Sequence, residues 1–320
     1  MTINYQAAEA ELSTLRDFLR WTTSRFEEAR LFFGHGNTDA FNEATQLILH
    51  SLKLPVTELP ELFLDARLCS AEKQALLQLV KQRIEERVPV PYLTHEAWFA
   101  GLPFYVDERV LIPRSPFAEL IDSQFAPWLQ DADSVERILD MCTGSACIAI
   151  VLAMTFEGAE VDAVDISDKA LSVAQINKNK HLLGDELTLI KSDLWAELKP
   201  SRQYDLIISN PPYVGDLEMS SLPAEYHHEP VHALQAADNG LALVEQIIIG
   251  AAKFLTPQGL LFVEVGNSNL AVEERWPETH FLWLELEQGG HGIFMLTQNQ
   301  CAEFAAAYSR ISLTGFSDSA

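Results

Sequence analysis

The sequence predicts an α/β protein: a mostly parallel seven-stranded sheet with helices, preceded by a small helical domain and a β-hairpin linker. Three changes of pattern along the chain carry this. Residues up to about 86 are poor in glycine and proline and place apolar side chains at helical spacing. Val88 to Pro113 switches to short runs around a turn, and from Val135 strand, loop and helix patterns alternate. The predicted division is a helical domain over 1–86, a hairpin linker over 87–113 and an α/β domain over 114–310. A chain of 320 residues can bury one large core with a smaller companion.

In the helical domain, Leu12, Leu15, Phe18, Leu19 and Phe26 share one helix face, as do Leu76, Leu79, Val80 and Ile84. Phe41 to Leu52 forms another helix. Gly34 and Gly36 are expected to end a helix and turn the chain, with His35 a turn or packing residue. Glu96 to Val106 reads as two short strands around Gly101. Ala118 to Leu129 is helical, and Arg114 and Glu119 at its junction suit either a cap with a surface charge or a functional role. The sheet strands follow at Ile138-Leu139, Val161–Asp165, Leu187–Ile190 and Tyr204–Ile208. The intervening helices run over Ile148–Phe156 and Lys169–Lys180. Leu241–Leu255 is a helix closed by Thr256-Pro257-Gln258-Gly259, and Leu260–Val265 is the fifth strand. Phe281–Leu286 and Ile293–Thr297 close the sheet as an antiparallel pair around a glycine-rich turn. Trp98, Trp195 and Trp283 read as core or interface residues, and the tail after about Ser309 as frayed.

Charge narrows the partners. With 22 Lys+Arg against 46 Asp+Glu, the net charge is −24. No cationic cluster offsets it, so direct sequence-specific nucleic-acid binding is disfavoured and a basic protein is attracted. The four cysteines, Cys69, Cys142, Cys147 and Cys301, form no C-x-x-C pair, and no metal site is expected. There is no basic-then-apolar leader and no apolar run of ~18 residues, which suggests a reduced, cytoplasmic protein without a membrane segment.

The chemistry is concentrated at predicted strand ends, where ligands of doubly wound sheets sit. Ser209-Asn210-Pro211-Pro212-Tyr213 follows a buried apolar strand that two prolines stop, since neither has an N–H to donate. The Asn210 amide and the Pro211 carbonyl offer two acceptors, and Tyr213 offers a flat wall after Pro212. That set suits a planar amide or an exocyclic amino group; the alternative is a tight turn with a capping Asn. The loop from Asp140 through Cys142, Thr143, Gly144, Ser145 and Ala146 lets backbone approach a ligand, but it is not the dinucleotide fingerprint. Asp165 suits a ribose diol, and Asp193, followed by Leu194, suits an adenine amino group. A nucleoside without phosphates, beside several carboxylates, points to S-adenosylmethionine. Otherwise Asp140 and Asp165 cap the helices that follow them.

These residues resemble a known family, the class I S-adenosylmethionine-dependent methyltransferases that modify glutamine side chains of translation proteins. Those enzymes carry D-x-G-T-G-S-G at the cofactor loop and N-P-P-Y at the substrate. The resemblance runs nearly end to end and implies a Rossmann-like fold. It is strongest to the enzymes for large-subunit ribosomal protein uL3, on Gly34-His35-Gly36, Arg114-Ser115-Pro116, Asp140–Ser145 and His228-Glu229-Pro230. The implied partner is uL3 or a pre-ribosomal particle containing it. Release-factor enzymes are similar, but usually carry P-R-x-x-T-E at the junction and Gly where Cys142 stands. N-P-P-Y is also shared with DNA amino-methyltransferases. The resemblance implies Asn210, Pro211 and Tyr213 as the catalytic set and Asn210 as a contact shared with the cofactor. One departure is Ala146, where the family has glycine; a left-handed backbone there would cost an alanine about 1 kcal/mol. The change is expected to be tolerated, since the acids and Asn210-Pro211-Pro212-Tyr213 are intact; a non-catalytic assembly factor of the same fold is a rival for which only this departure argues. His228-Glu229-Pro230 suits a lid, a substrate contact or an ordinary loop.

Overall fold

The structure is a computed structural model that describes residues 3–55, 59–287 and 289–308. Two compact units emerge. The first comprises the described residues up to Ala97, Val106–Glu108 and Pro223–His228, and the second the remainder.

The first unit is helical. Its helices span Tyr5–Glu11, Leu15–Glu28, Ala40–Ser51, Ser70–Lys81 and Val90–Thr94, with a π-helical turn over Gln82–Glu86. The apolar face containing Leu12 and Leu15 is split between two helices. Thr14 ends the continuity: its hydroxyl accepts from the Asp17 N–H, and the Asp17 carboxylate accepts from the Thr14 N–H at 2.9 Å. The second helix ends at Glu28, well before Gly34, and Arg30 makes the left-handed turn (φ 49°). His35 is buried with its ring 4.6 Å from that of Tyr226, a packing residue as expected. Arg83 is fully buried, donating to Glu43 at 2.6 Å and to Glu225 at 3.1 Å. Burying such a cation is tolerable only when it is fully paired.

A hairpin of β1 (Ala97–Phe99) and β2 (Leu102–Phe104) turns through Ala100 and Gly101, both with positive φ, as two-residue hairpin loops require. The short helix over Val90–Thr94, which begins with a proline pair around Val90, was not foreseen in the linker.

The second unit holds a seven-stranded sheet. Its strands are β3 (Arg137–Met141), β4 (Glu160–Asp165), β5 (Leu187–Lys191), β6 (Tyr204–Ser209), β7 (Leu255–Glu264), β8 (Leu282–Trp283) and β9 (Ile293–Thr297), in the order β5-β4-β3-β6-β7-β9-β8. The pairs from β5 to β7 are parallel, and β9 is antiparallel to both its neighbours. Successive strand residues face opposite layers. Ile138, Leu206, Ile208 and Phe262 pack in one layer with the helix Cys147–Thr155, and Leu139, Ile207, Leu261 and Val263 pack in the other with the helix Leu241–Phe254. Burial on both faces explains why these strands read as nearly continuous apolar runs.

One boundary differs from expectation. β7 begins directly at the helix end, and its register against β6 shifts between the pairs Tyr204–Leu255 and Leu206–Leu260. Thr256-Pro257-Gln258-Gly259 is therefore a bulge inside the strand, the place where a proline without an N–H fits a ladder. Among the described residues no helix is long and apolar enough to cross a membrane.

Candidate functional site

The sheet order brings four strand ends into one row. Asp193 lies just beyond β5, Asp165 ends β4, Asp140 is the penultimate residue of β3, and Asn210 is the first residue after β6. Strand order reverses beside β3, with β4 and β5 on one side and β6 and β7 on the other. The crevice of a doubly wound sheet opens at such a reversal. A cavity of about 440 Å³ lies there, with Cys142, Gly144, Asp165, Asp193, Leu194 and Asn210 on its wall. Pro212 joins them. Asp140, Thr143, Ser145, Ala146 and Pro211 are buried off that wall, and Tyr213 does not line it.

The loop after β3 coils because every second residue is left-handed: Cys142 (φ 64°), Gly144 (φ 57°) and Ala146 (φ 62°). Hydrogen bonds hold it there. The Thr143 N–H donates to the Val164 carbonyl at 2.9 Å, and the Gly144 N–H to the Asp165 carboxylate at 2.9 Å. The buried Asn177 amide donates to the Ser145 carbonyl at 3.0 Å. Ala146 thus occupies the backbone region in which alanine is strained by about 1 kcal/mol or more. Cys142 does so as well, a second strained position that sequence reading did not flag.

Asp140 is 1% exposed. Its Oδ2 accepts from the Thr143 hydroxyl at 2.5 Å and from the Ala149 N–H at 3.2 Å, within the first turn of the next helix. Helix capping therefore accounts for one oxygen only. Among the described residues Oδ1 has no hydrogen-bond partner. Burial pushes the carboxyl up to about 7, the Thr143 and Ala149 bonds oppose this, and the nearby Asp165 charge adds to it. Burial raises the Asp165 carboxyl too, against its bonds from Ser167 and Gly144.

After β6, neither the Asn210 side chain nor the Pro211 carbonyl has a hydrogen-bond partner among the described residues. The Tyr213 hydroxyl donates to Glu264 Oε1 at 3.0 Å. The Val214 N–H donates to the Leu234 carbonyl and the Ala236 N–H returns a bond to the Val214 carbonyl, so the segment around His232–Ala237 forms another wall of the cavity.

The Methyltransferase small domain family matches residues 123–225. A "Ribosomal protein uL3 glutamine methyltransferase" of Francisella tularensis subsp. tularensis is 44% identical over 299 residues, covering 93% of this chain and 95% of its own length. Its namesake in Neisseria meningitidis serogroup B is 46% identical over 298 residues, covering 93% of this chain and 97% of its own. The chain belongs to the uL3 glutamine methyltransferase family. The sheet described above is its Rossmann-like class I methyltransferase fold, the chain is a methyltransferase, and its methyl donor is S-adenosylmethionine. The cavity residues fit that donor. A side chain at Gly144 on the wall would meet nothing within 4 Å, so the backbone there stands open to a ligand, and behind the wall the buried Asp140 Oδ1 has no hydrogen-bond partner among the described residues.

Several wall and supporting residues escaped the sequence reading. Arg109, Val110 and Leu111 line the cavity from the chain segment after the hairpin, and no local pattern marks them. Glu264 could have been found. It ends β7 as Asp165 ends β4, so the strand-end rule applies to it equally.

Proposed function

We propose that this chain transfers the methyl group of S-adenosylmethionine to the side-chain amide nitrogen of a glutamine in ribosomal protein uL3. The observation that carries the chemistry is the Asn210 amide on the cavity wall, followed by the Pro211 carbonyl, both without protein partners among the described residues. An amide nitrogen is a poor nucleophile because its lone pair is delocalised into the carbonyl. In this reading the Asn210 side-chain oxygen and the Pro211 carbonyl accept the two N–H bonds of the substrate amide. Fixing the nitrogen and polarising its N–H bonds both lower the barrier. The two proline rings keep the carbonyls from turning away, and Tyr213 closes the amide plane. When bound, S-adenosylmethionine supplies an electrophilic methyl on a cationic sulfonium. Asp140, Asp165 and Asp193 with Leu194 hold that donor, and Cys142 to Ala146 shape the loop against it. The proton released after transfer leaves to solvent.

The finer parts of the reading rest on charge and position. A chain of net charge −24 attracts a basic protein and repels RNA, so the partner is uL3 itself or a pre-ribosomal particle presenting it, met in the cytoplasm. The helical domain over 1–86 selects this substrate, the linker over 87–113 joins it to the methyltransferase domain over 114–310, and neither membrane nor specific nucleic acid takes part.

The test is incubation with labelled S-adenosylmethionine and either free uL3 or ribosomal particles from cells lacking the gene. A single methyl on one uL3 glutamine, located by mass spectrometry, is the expected result. Label on a release factor or on RNA would refute the assignment.

A further inference from the structure

Two motifs of the sequence, Arg114-Ser115-Pro116 and His228-Glu229-Pro230, take no direct part in the proposed methyl transfer. Within the second unit, Arg114 and Ser115 of the one connect through Glu229 of the other and through Glu264 to Tyr213. The Arg114 guanidinium donates to both oxygens of Glu229, at 2.8 and 3.0 Å, and Glu229 Oε2 also accepts from the Ile112 N–H at 3.1 Å. This fixes the backbone that presents Ser115. The Ser115 hydroxyl donates to Glu264 Oε2 at 2.5 Å and accepts from the Phe117 N–H at 3.2 Å. The other Glu264 oxygen takes the Tyr213 hydroxyl. Glu264 is 5% exposed, and a hydroxyl donates to each of its oxygens; burial pushes its carboxyl up, and the Ser115 and Tyr213 bonds and the nearby Arg114 charge oppose this.

The Tyr213 ring is confined by backbone as well. A Cβ at Gly266 would lie 2.6 Å from Tyr213 Cε2, and one at Gly240 would lie 2.7 Å from the Pro212 carbonyl oxygen and 2.9 Å from Tyr213 Cα. The ring therefore sits against Gly266, its hydroxyl tied to a buried acid and its backbone against Gly240.

We propose that Glu264 is a positioning residue: it anchors the Tyr213 hydroxyl, with Ser115 sharing the carboxylate and the Arg114–Glu229 pair fixing Ser115. Tyr213 thereby keeps a set place at the end of the amide clamp. The proposal rests on the reading above, in which Tyr213 closes the substrate amide plane. It assigns a purpose to Arg114, Ser115 and Glu229 and to the acid at the end of β7.

The experiment compares Tyr213→Phe, Tyr213→Ala, Glu264→Gln and Glu264→Ala for kcat, KM for unmethylated uL3 and S-adenosylmethionine affinity. Tyr213→Phe removes only the anchoring hydroxyl and leaves the packing in place. Loss of one hydrogen bond to a buried acceptor is expected to lower kcat about tenfold, with donor affinity and KM changed less than about twofold. Glu264→Gln, which still accepts one bond, retains most of the activity. Glu264→Ala matches Tyr213→Phe, and combining the two adds little, because both break the same bond. Wild-type kcat in Tyr213→Phe overturns the anchor; if Tyr213→Ala is then still impaired, the clamp reading survives that failure. Wild-type kcat in Tyr213→Ala removes the closing role of Tyr213 and the anchor together and leaves the Asn210 and Pro211 acceptors to be tested on their own. A crystal structure of Glu264→Ala gives a readout independent of turnover: a displaced Tyr213 ring is expected, and an unmoved one contradicts the proposal.

Discussion

The loops after β3 and after β6 stand at neighbouring strand ends, yet they are built on opposite principles. The loop from Asp140 to Ala146 places Cys142 and Ala146, two residues with side chains, in left-handed backbone. The strain there is intrinsic to each residue. The loop from Asn210 to Tyr213 rests instead on glycines from elsewhere in the chain, Gly240 and Gly266, where a Cβ would come within 2.7 and 2.6 Å of Pro212 and Tyr213. Here the demand is for space on top of the positive φ that both glycines adopt, 79° and 50°. The difference teaches that a glycine can be dispensable where only φ requires it and indispensable where a neighbour occupies the room. The donor-side loop tolerates a cost of about 1 kcal/mol per strained residue, whereas the clamp-side loop leaves no space to give.

Substitutions at the two kinds of position sharpen this contrast. Among substitutions of the backbone-shaping positions, Gly266→Ala is expected to have the largest effect. It drives a methyl into the Tyr213 ring and also places alanine at φ 50°, so turnover should fall about tenfold or more. Steady-state kinetics on uL3 checks it, and unchanged turnover would mean that the ring is free to move.

Asp140→Asn acts next, and through pH. The folded-state carboxyl titrates at about 7, above its ordinary 3.8, so the folded chain holds this proton more tightly than the unfolded chain. The stabilising contribution is complete below 3.8 and is lost as pH rises through about 7. Asp165, shifted in the same direction, adds to that slope. Without donor, wild type should lose a few kcal/mol of stability between about pH 4 and pH 8 from this source, and Asp140→Asn should remove most of the loss. Denaturant unfolding across that range is the measurement, and parallel curves for the two proteins would contradict the burial argument.

Ala146→Gly is the smallest. Release of left-handed strain, partly offset by the greater freedom of glycine in the unfolded chain, should stabilise the protein by up to about 1 kcal/mol. A melting temperature unchanged or lowered would show that the Ala146 backbone carries no net strain.

Much of this fold is legible in the sequence because its elements are local. Apolar runs such as Leu206-Ile207-Ile208 and helices such as Asp168–Lys180 declare themselves over a few residues. The acids at strand ends follow from the same runs. What the sequence hides is pairing across distance. Ser115 and Glu264 are 149 positions apart, Arg114 and Glu229 are 115 apart, and no local pattern links them. The bulge in β7 was hidden for another reason: Thr256-Pro257-Gln258-Gly259 has the composition of a turn, and only its pairing with β6 shows that the strand continues through it. Positive φ at Cys142 is equally silent, since a thiol-bearing side chain gives no sign that its backbone is left-handed.

The central claim is that the Asn210 amide holds the substrate nitrogen. The most direct measurement is single-turnover methyl transfer to uL3 by Asn210→Ala, paired with calorimetric binding of S-adenosylmethionine to the same variant. Turnover lower by at least about a hundredfold, with donor affinity weakened far less, is the predicted outcome, since the residue stabilises charge developing on the acceptor. Transfer at the wild-type rate, or a loss of donor binding that matches the loss of turnover, would contradict it.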